Sequence, residues 1–131
     1  ALLSLLIPNV DPMTKVSIIP RGMAGGYTLM HPTEDRRYKS KKELLGDITV
    51  ILGGRVSEEI NFDDVTTGAM NDLEMVTRIA RQMVCDYGMS DRLGAVTLGQ
   101  SHGPVFLGRD LVEEKDYSDE TARIIDEEIK A

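Results

Sequence analysis

Cysteine occurs once in these 131 residues, at Cys85, so no disulfide can close within the chain. Such sparse thiol usage is what a reducing compartment permits. Apolar runs are short: the longest, Ala1 to Ile7, stops at Pro8, well below the roughly 18 residues that read as a membrane span. The chain opens without an initiator methionine or a signal-peptide pattern, in mid-hydrophobic stride, which reads as a helix whose first turns are missing. Histidine occurs only at His31 and His102, in separate loops flanked by proline or glycine. The H-E-x-x-H pattern, which sets two zinc ligands and a base on one helix turn, is therefore absent. Spacing gives neither histidine a role, and both read as ordinary surface residues. No glycine-rich loop leads into a Lys-Ser or Lys-Thr pair, so nucleotide binding is not encoded. Basic residues are outnumbered 15 to 22, for a net charge of -7, without a polybasic patch. Charge thus argues against nucleic acid or an anionic membrane face as a partner.

What is present suits one globular domain over 1–131, since a chain this long with 41% hydrophobic residues can bury a single core. The β-branched segment Thr14–Ile19 and the stretch Gly25–Met30, joined across Pro20 and Gly22, predict two antiparallel strands. His31–Lys39, with Pro32 and many charges, predicts an exposed loop. Ser40-Lys-Lys-Glu43 has the spacing of a capping box and starts a helix expected to reach Ile60. Leu44, Leu45, Ile48, Ile51, Leu52 and Val56 recur every three or four residues, as one apolar stripe. Gly53-Gly54 interrupts it, at about 1 kcal/mol per glycine relative to alanine. The expected compensation is close approach by another backbone, which would make Gly54→Leu destabilising. Thr66-Thr67-Gly68 supplies hydroxyl caps for a second helix, whose Leu73, Val76, Ala80, Met83, Val84 and Tyr87 recur at helical spacing up to Gly88. Gly94–Gly108 reads as irregular loop with an edge strand at Val105–Leu107. Ser118 caps a last helix with Ala122, Ile125 and Ile129 inward. The fold class expected is α+β, mainly helical, with a small hairpin sheet.

Single residues say less about chemistry. Asp72 falls in a first helical turn, where the macrodipole favours a carboxylate by roughly 0.3–1 kcal/mol, a structural role that needs no ligand. Glu58 and Glu59 read as solvated acids. Cys85, beside Val84 on an apolar helix, reads as a small packed side chain.

Order is more informative. Val16-Ser-Ile-Ile-Pro-Arg-Gly-Met23, Gly26-Tyr-Thr28, Ser40-Lys-Lys-Glu-Leu-Leu45, Leu52-Gly-Gly-Arg55 with Glu58-Glu-Ile60, Asp64-Val-Thr-Thr-Gly-Ala69, Asn71-Asp-Leu-Glu74, Tyr87-Gly-Met-Ser90 and Phe106-Leu-Gly-Arg-Asp110 succeed one another along the chain. Together they resemble the peptidase domain of the FtsH family of ATP-dependent zinc metalloproteases. In that family H-E-x-G-H runs directly into an Ala-Leu-Leu-Ser-like sequence, so the resemblance implies a chain cut just after the two histidine ligands and the glutamate base. It implies that Asp72, in the Asn-Asp-Leu-Glu match, is the third zinc ligand, and that Glu58 stands near the metal as an outer acid. It further implies a strand edge for substrate backbone, here Gly25, Gly26, Tyr27 and Thr28. For the parent protein it implies one zinc per complete peptidase domain, ATP and magnesium in an upstream AAA+ domain, an N-terminal membrane anchor and a homo-hexamer. Its substrates would be unfolded or membrane proteins, degraded on the cytoplasmic side or its organellar equivalent. The 131 residues alone are expected to be inactive. The rival reading is a non-catalytic acidic helical scaffold or oligomerisation module of a degenerate paralogue; substituted histidines upstream would favour it.

Overall fold

The computed structural model describes residues 1–22, 25–32, 38–99 and 116–131. They form a mainly helical α+β arrangement with one small antiparallel sheet, as expected. By compactness the chain falls into two units, Ala1–Val76 and Thr77–Ala131.

The first unit begins with α1 (Leu2–Leu6), a helix of five residues. So short a helix has no stability of its own and depends on packing, here against the long helix α2 (Lys41–Phe62). Ser4 is buried, and its hydroxyl donates to the Ala1 carbonyl at 2.6 Å. Strands β1 (Met13–Ser17) and β2 (Tyr27–Met30) pair antiparallel, with Val16 opposite Thr28, Ser17 opposite Tyr27 and an irregularity between Met13 and Lys15. Both strands are shorter than β-propensity predicts. Ile18 and Ile19 lie beyond β1, at 87% and 65% exposure, and Gly25 and Gly26 lead into β2 without joining it. Only glycine fits at position 26, since a Cβ there would stand 2.6 Å from the Ser17 carbonyl oxygen.

The capping box forms as predicted. The Glu43 N–H donates to Ser40 Oγ at 3.3 Å, and the Ser40 N–H donates to Glu43 Oε2 at 2.7 Å. Helix α2 runs two residues past Ile60 and closes at Asp63, whose φ of 51° is left-handed and whose N–H donates to the Glu59 carbonyl. The expected apolar stripe is only partly covered. Leu45 and Val56 remain about half exposed, because α1 is too short to cover the whole face of a helix of 22 residues.

Helix α3 (Met70–Arg81) begins in the first unit and ends in the second. It does not continue to Gly88 as one α-helix. Gln82–Asp86 form a wider π-type turn, in which the Tyr87 N–H reaches back to the Gln82 carbonyl at 2.9 Å. Met83, Val84 and Cys85 are all buried in this turn. Val84, Cys85 and Ile125 form a core on which Leu93, Leu98, Tyr117 and Ile129 pack, so Cys85 is a packed side chain. Ile125 belongs to α4 (Asp119–Lys130), where Ser118 Oγ accepts from the Thr121 N–H at 3.2 Å. Arg92 pairs with Glu127 at 3.0 Å and Ser90 donates to Glu128 at 2.7 Å, tying the loop after the π-turn to α4. Val105–Leu107 and His102 lie outside the described residues. No helix among the described residues is long and apolar enough to cross a membrane.

Gly88 has a φ of +60°, and a Cβ there would come within 2.9 Å of Ala95 Cα, so both backbone geometry and space require glycine. Gly88→Ala is expected to lose about 1–3 kcal/mol of stability in urea unfolding. Gly94→Ala, at φ +76° with nothing within 4 Å, should lose less, because only the conformational term applies. Equal losses would show that contact with Ala95 contributes nothing.

Candidate metal-ligand site

The site is built from the C-terminal half of α2 and the entry to α3, all inside the first unit. Between them lies a polar turn. Thr66, extended at φ -105° and ψ 169°, caps the Thr67–Ala69 single turn by accepting from the Gly68 N–H at 3.2 Å. That turn runs without a break into α3, and its last residue, Ala69, is buried. Asp72 therefore stands in the first turn of α3, as its position after the Thr-Thr-Gly cap predicts.

The Asp72 carboxylate is half-buried, and it carries no hydrogen bond or ion pair among the described residues. It faces α2: Oδ2 is the atom nearest to where a Cβ on Gly54 would stand, at 3.9 Å. A Cβ on the neighbouring Gly53 would meet Leu3 Cδ1 of α1 at 2.5 Å. The double glycine therefore does not accommodate another backbone, as the sequence suggested. Gly53 receives the Leu3 side chain, and Gly54 leaves open space before a carboxylate. These two adjacent positions bring the start of the chain and Asp72 to neighbouring points on α2. An open cleft of about 570 Å³ follows the same face, lined by Leu2, Leu3 and Leu6 of α1 and by Val50, Gly54 and Ile60 of α2.

Glu58 and Glu59 have different surroundings. Glu59 pairs with Arg55 at 3.1 Å, one turn back along the helix. Glu58 reaches across the turn, where Oε2 accepts the Thr66 N–H and Oε1 accepts the Thr66 hydroxyl, both at 3.0 Å. This clamp was not legible in the sequence, because a glutamate eight residues before a Thr-Thr-Gly cap has no recognised spacing. Tyr27 and Thr28 lie on exposed β2, with Gly25 and Gly26 just before it. Lys15 sits 5.9 Å above the Tyr27 ring.

A catalytic zinc takes three protein ligands and keeps one position open. Among the described residues no group of three or more His, Cys, Asp or Glu side chains could hold a metal. Asp72 fits as one such ligand: an oxygen donor, unengaged and half-shielded from water.

Comparison with known proteins shows the family. The sequence profile of Peptidase family M41 matches residues 1–131. ATP-dependent zinc metalloprotease FtsH 3 of Synechocystis sp. is 55% identical over 134 residues, covering 98% of this chain and 22% of the relative. FtsH 1 of Thermoanaerobacter sp. is 52% identical over 130 residues, with 99% and 21% covered. The FtsH protease of Pseudothermotoga lettingae is 51% identical over 131 residues, with 99% and 21% covered. The chain spans about a fifth of the length of these curated relatives. With the profile matched from first residue to last and half of all positions shared with such relatives, the chain belongs to peptidase family M41.

Proposed function

We propose that these residues form part of the peptidase domain of an ATP-dependent zinc endopeptidase, and that Asp72 is one of the zinc ligands. The observation that carries this reading is the Asp72 carboxylate, unengaged among the described residues, held half-buried at the head of α3 and facing the glycine beside the α1 contact. Zinc, when bound, supplies Lewis acidity toward the scissile carbonyl and lowers the pKa of the attacking water. The chain's own residues set the place. Asp72 presents a fixed anionic oxygen, Gly54 leaves room in front of it, and the Thr66 cap fixes the first turn that carries it. The β2 segment with Gly25, Gly26, Tyr27 and Thr28 offers main-chain groups with which an extended peptide can pair, a mode that tolerates many sequences.

Two imidazoles and a general-base glutamate complete the site from an H-E-x-x-H outside the 131 residues, which by themselves are inactive and hold zinc weakly at most. The parent enzyme has an AAA+ domain that binds ATP and magnesium, a membrane anchor and a hexameric ring. It degrades unfolded or membrane proteins on the cytoplasmic or equivalent organellar side. The test uses the full-length enzyme, with casein as substrate and ATP present. Degradation is expected, it should stop when a chelator strips the metal, and it should return on adding zinc. Undiminished cleavage by protein shown to be free of metal would overturn the proposal.

A further inference from the structure

Glu58 does not behave as an acid waiting beside a metal, because both of its oxygens are committed to one residue. Oε2 holds the Thr66 N–H and Oε1 holds the Thr66 hydroxyl, each at 3.0 Å. The same hydroxyl oxygen accepts the Gly68 N–H at 3.2 Å, so Thr66 passes the restraint into the single turn Thr67–Ala69. Asp72 follows three residues after that turn, on a helix continuous with it. Hydrogen bonds to a carboxylate are about twice as strong as neutral ones, and two to one residue fix direction as well as distance.

We propose that Glu58 is a positioning residue for the zinc site, acting on Asp72 through the Thr66 cap and not by touching the metal, its ligands or the substrate. This rests on the reading of Asp72 as a zinc ligand. The chemistry separates it from an acid–base or purely electrostatic role. In Glu58→Gln, the amide oxygen can still accept the Thr66 N–H while its NH2 donates to the Thr66 hydroxyl oxygen, so the neutral residue keeps the clamp. In Glu58→Ala, both contacts go.

The experiment measures zinc affinity of the full-length enzyme by competition with a chromogenic chelator, alongside casein degradation and the thermal midpoint. Glu58→Ala is expected to weaken zinc binding by about 10–100-fold, the usual effect of removing a group that orients a ligand. Glu58→Gln should stay within a few-fold of the wild type. Thr66→Val, which keeps the shape and removes the hydroxyl, should weaken zinc in the same direction, and Thr66→Ser should restore it. Combining Glu58→Ala with Thr66→Val should cost less than the product of the single effects, because both act on one clamp.

A lowered thermal midpoint with unchanged zinc affinity in Glu58→Ala would overturn the proposal by making Glu58 only structural. Equal loss in Gln and Ala variants would overturn it by requiring the charge. If Glu58→Ala does not fold, Thr66→Val and Thr66→Ser carry the same comparison. Absence of zinc from the wild-type enzyme would instead defeat the underlying assignment of Asp72, so the two failures are distinguishable.

Discussion

Asp72→Asn in the full-length enzyme is expected to cut casein degradation at least about a hundredfold and to lower the zinc content of the purified protein. Loss of an orienting group behind a ligand already costs 10–100-fold, and loss of the ligand's own charge should reach the top of that range or pass it. The asparagine has the same shape, so packing around the first turn of α3 is kept. The stability change should be small: the macrodipole loses a favourable carboxylate, worth roughly 0.3–1 kcal/mol, and no hydrogen bond to a described residue is broken. ATP hydrolysis should persist, since Asp72 belongs to the peptidase part. Zinc-to-protein ratio by mass spectrometry, with protease and ATPase rates on the same sample, checks all three. A variant that keeps its zinc and its proteolysis would remove Asp72 from the site.

The second large effect is expected at Gly54, where stability and activity should separate. An alanine Cβ there would lie 3.9 Å from Asp72 Oδ2, an ordinary contact, so Gly54→Ala should gain up to about 1 kcal/mol from helix propensity and keep most activity. Gly54→Leu has nearly the same propensity, yet its extra carbons extend toward the carboxylate proposed to bind the metal. It should fold while losing tenfold or more in zinc affinity and proteolysis, by the same scale that applies to displaced ligands. Thermal midpoint and zinc competition on both variants make the comparison. A leucine variant that unfolds, with alanine neutral, would revive the crowding that the double glycine first suggested, while full zinc affinity in the leucine variant would show that the space before Asp72 is not needed.

These residues also show where sequence reading succeeds and stops. Ser40 with Glu43, Ser118 and Gly88 were legible because a cap or a left-handed residue acts within a few positions of itself, and the structure forms each as expected. The inward set of α4 was legible for a similar reason: a short amphipathic helix has one apolar face to bury. The partners of Gly53 and Gly54 were not, since a missing side chain shows that something comes close without saying what. Glu58 reads as a solvated acid on local grounds, whereas it is half-buried with both oxygens on Thr66. Its partner, Thr66, lies on the far side of a chain reversal that periodicity cannot measure. Asp72 needed both kinds of information. Its local pattern indicated only a first-turn acid, and resemblance indicated the ligand role that its open, half-shielded carboxylate suits.

The π-type turn at Gln82–Asp86 has a consequence for helical phase. Successive residues of a regular helix step by about 100°, so three in a row sweep some 200° and do not share one sheltered face. The wider winding over five residues accompanies the burial of Met83, Val84 and Cys85 together, and it shifts the phase of the residues that follow relative to Thr77 and Ala80. A helical wheel drawn straight through from Thr77 to Tyr87 therefore assigns the wrong azimuth to its last turn.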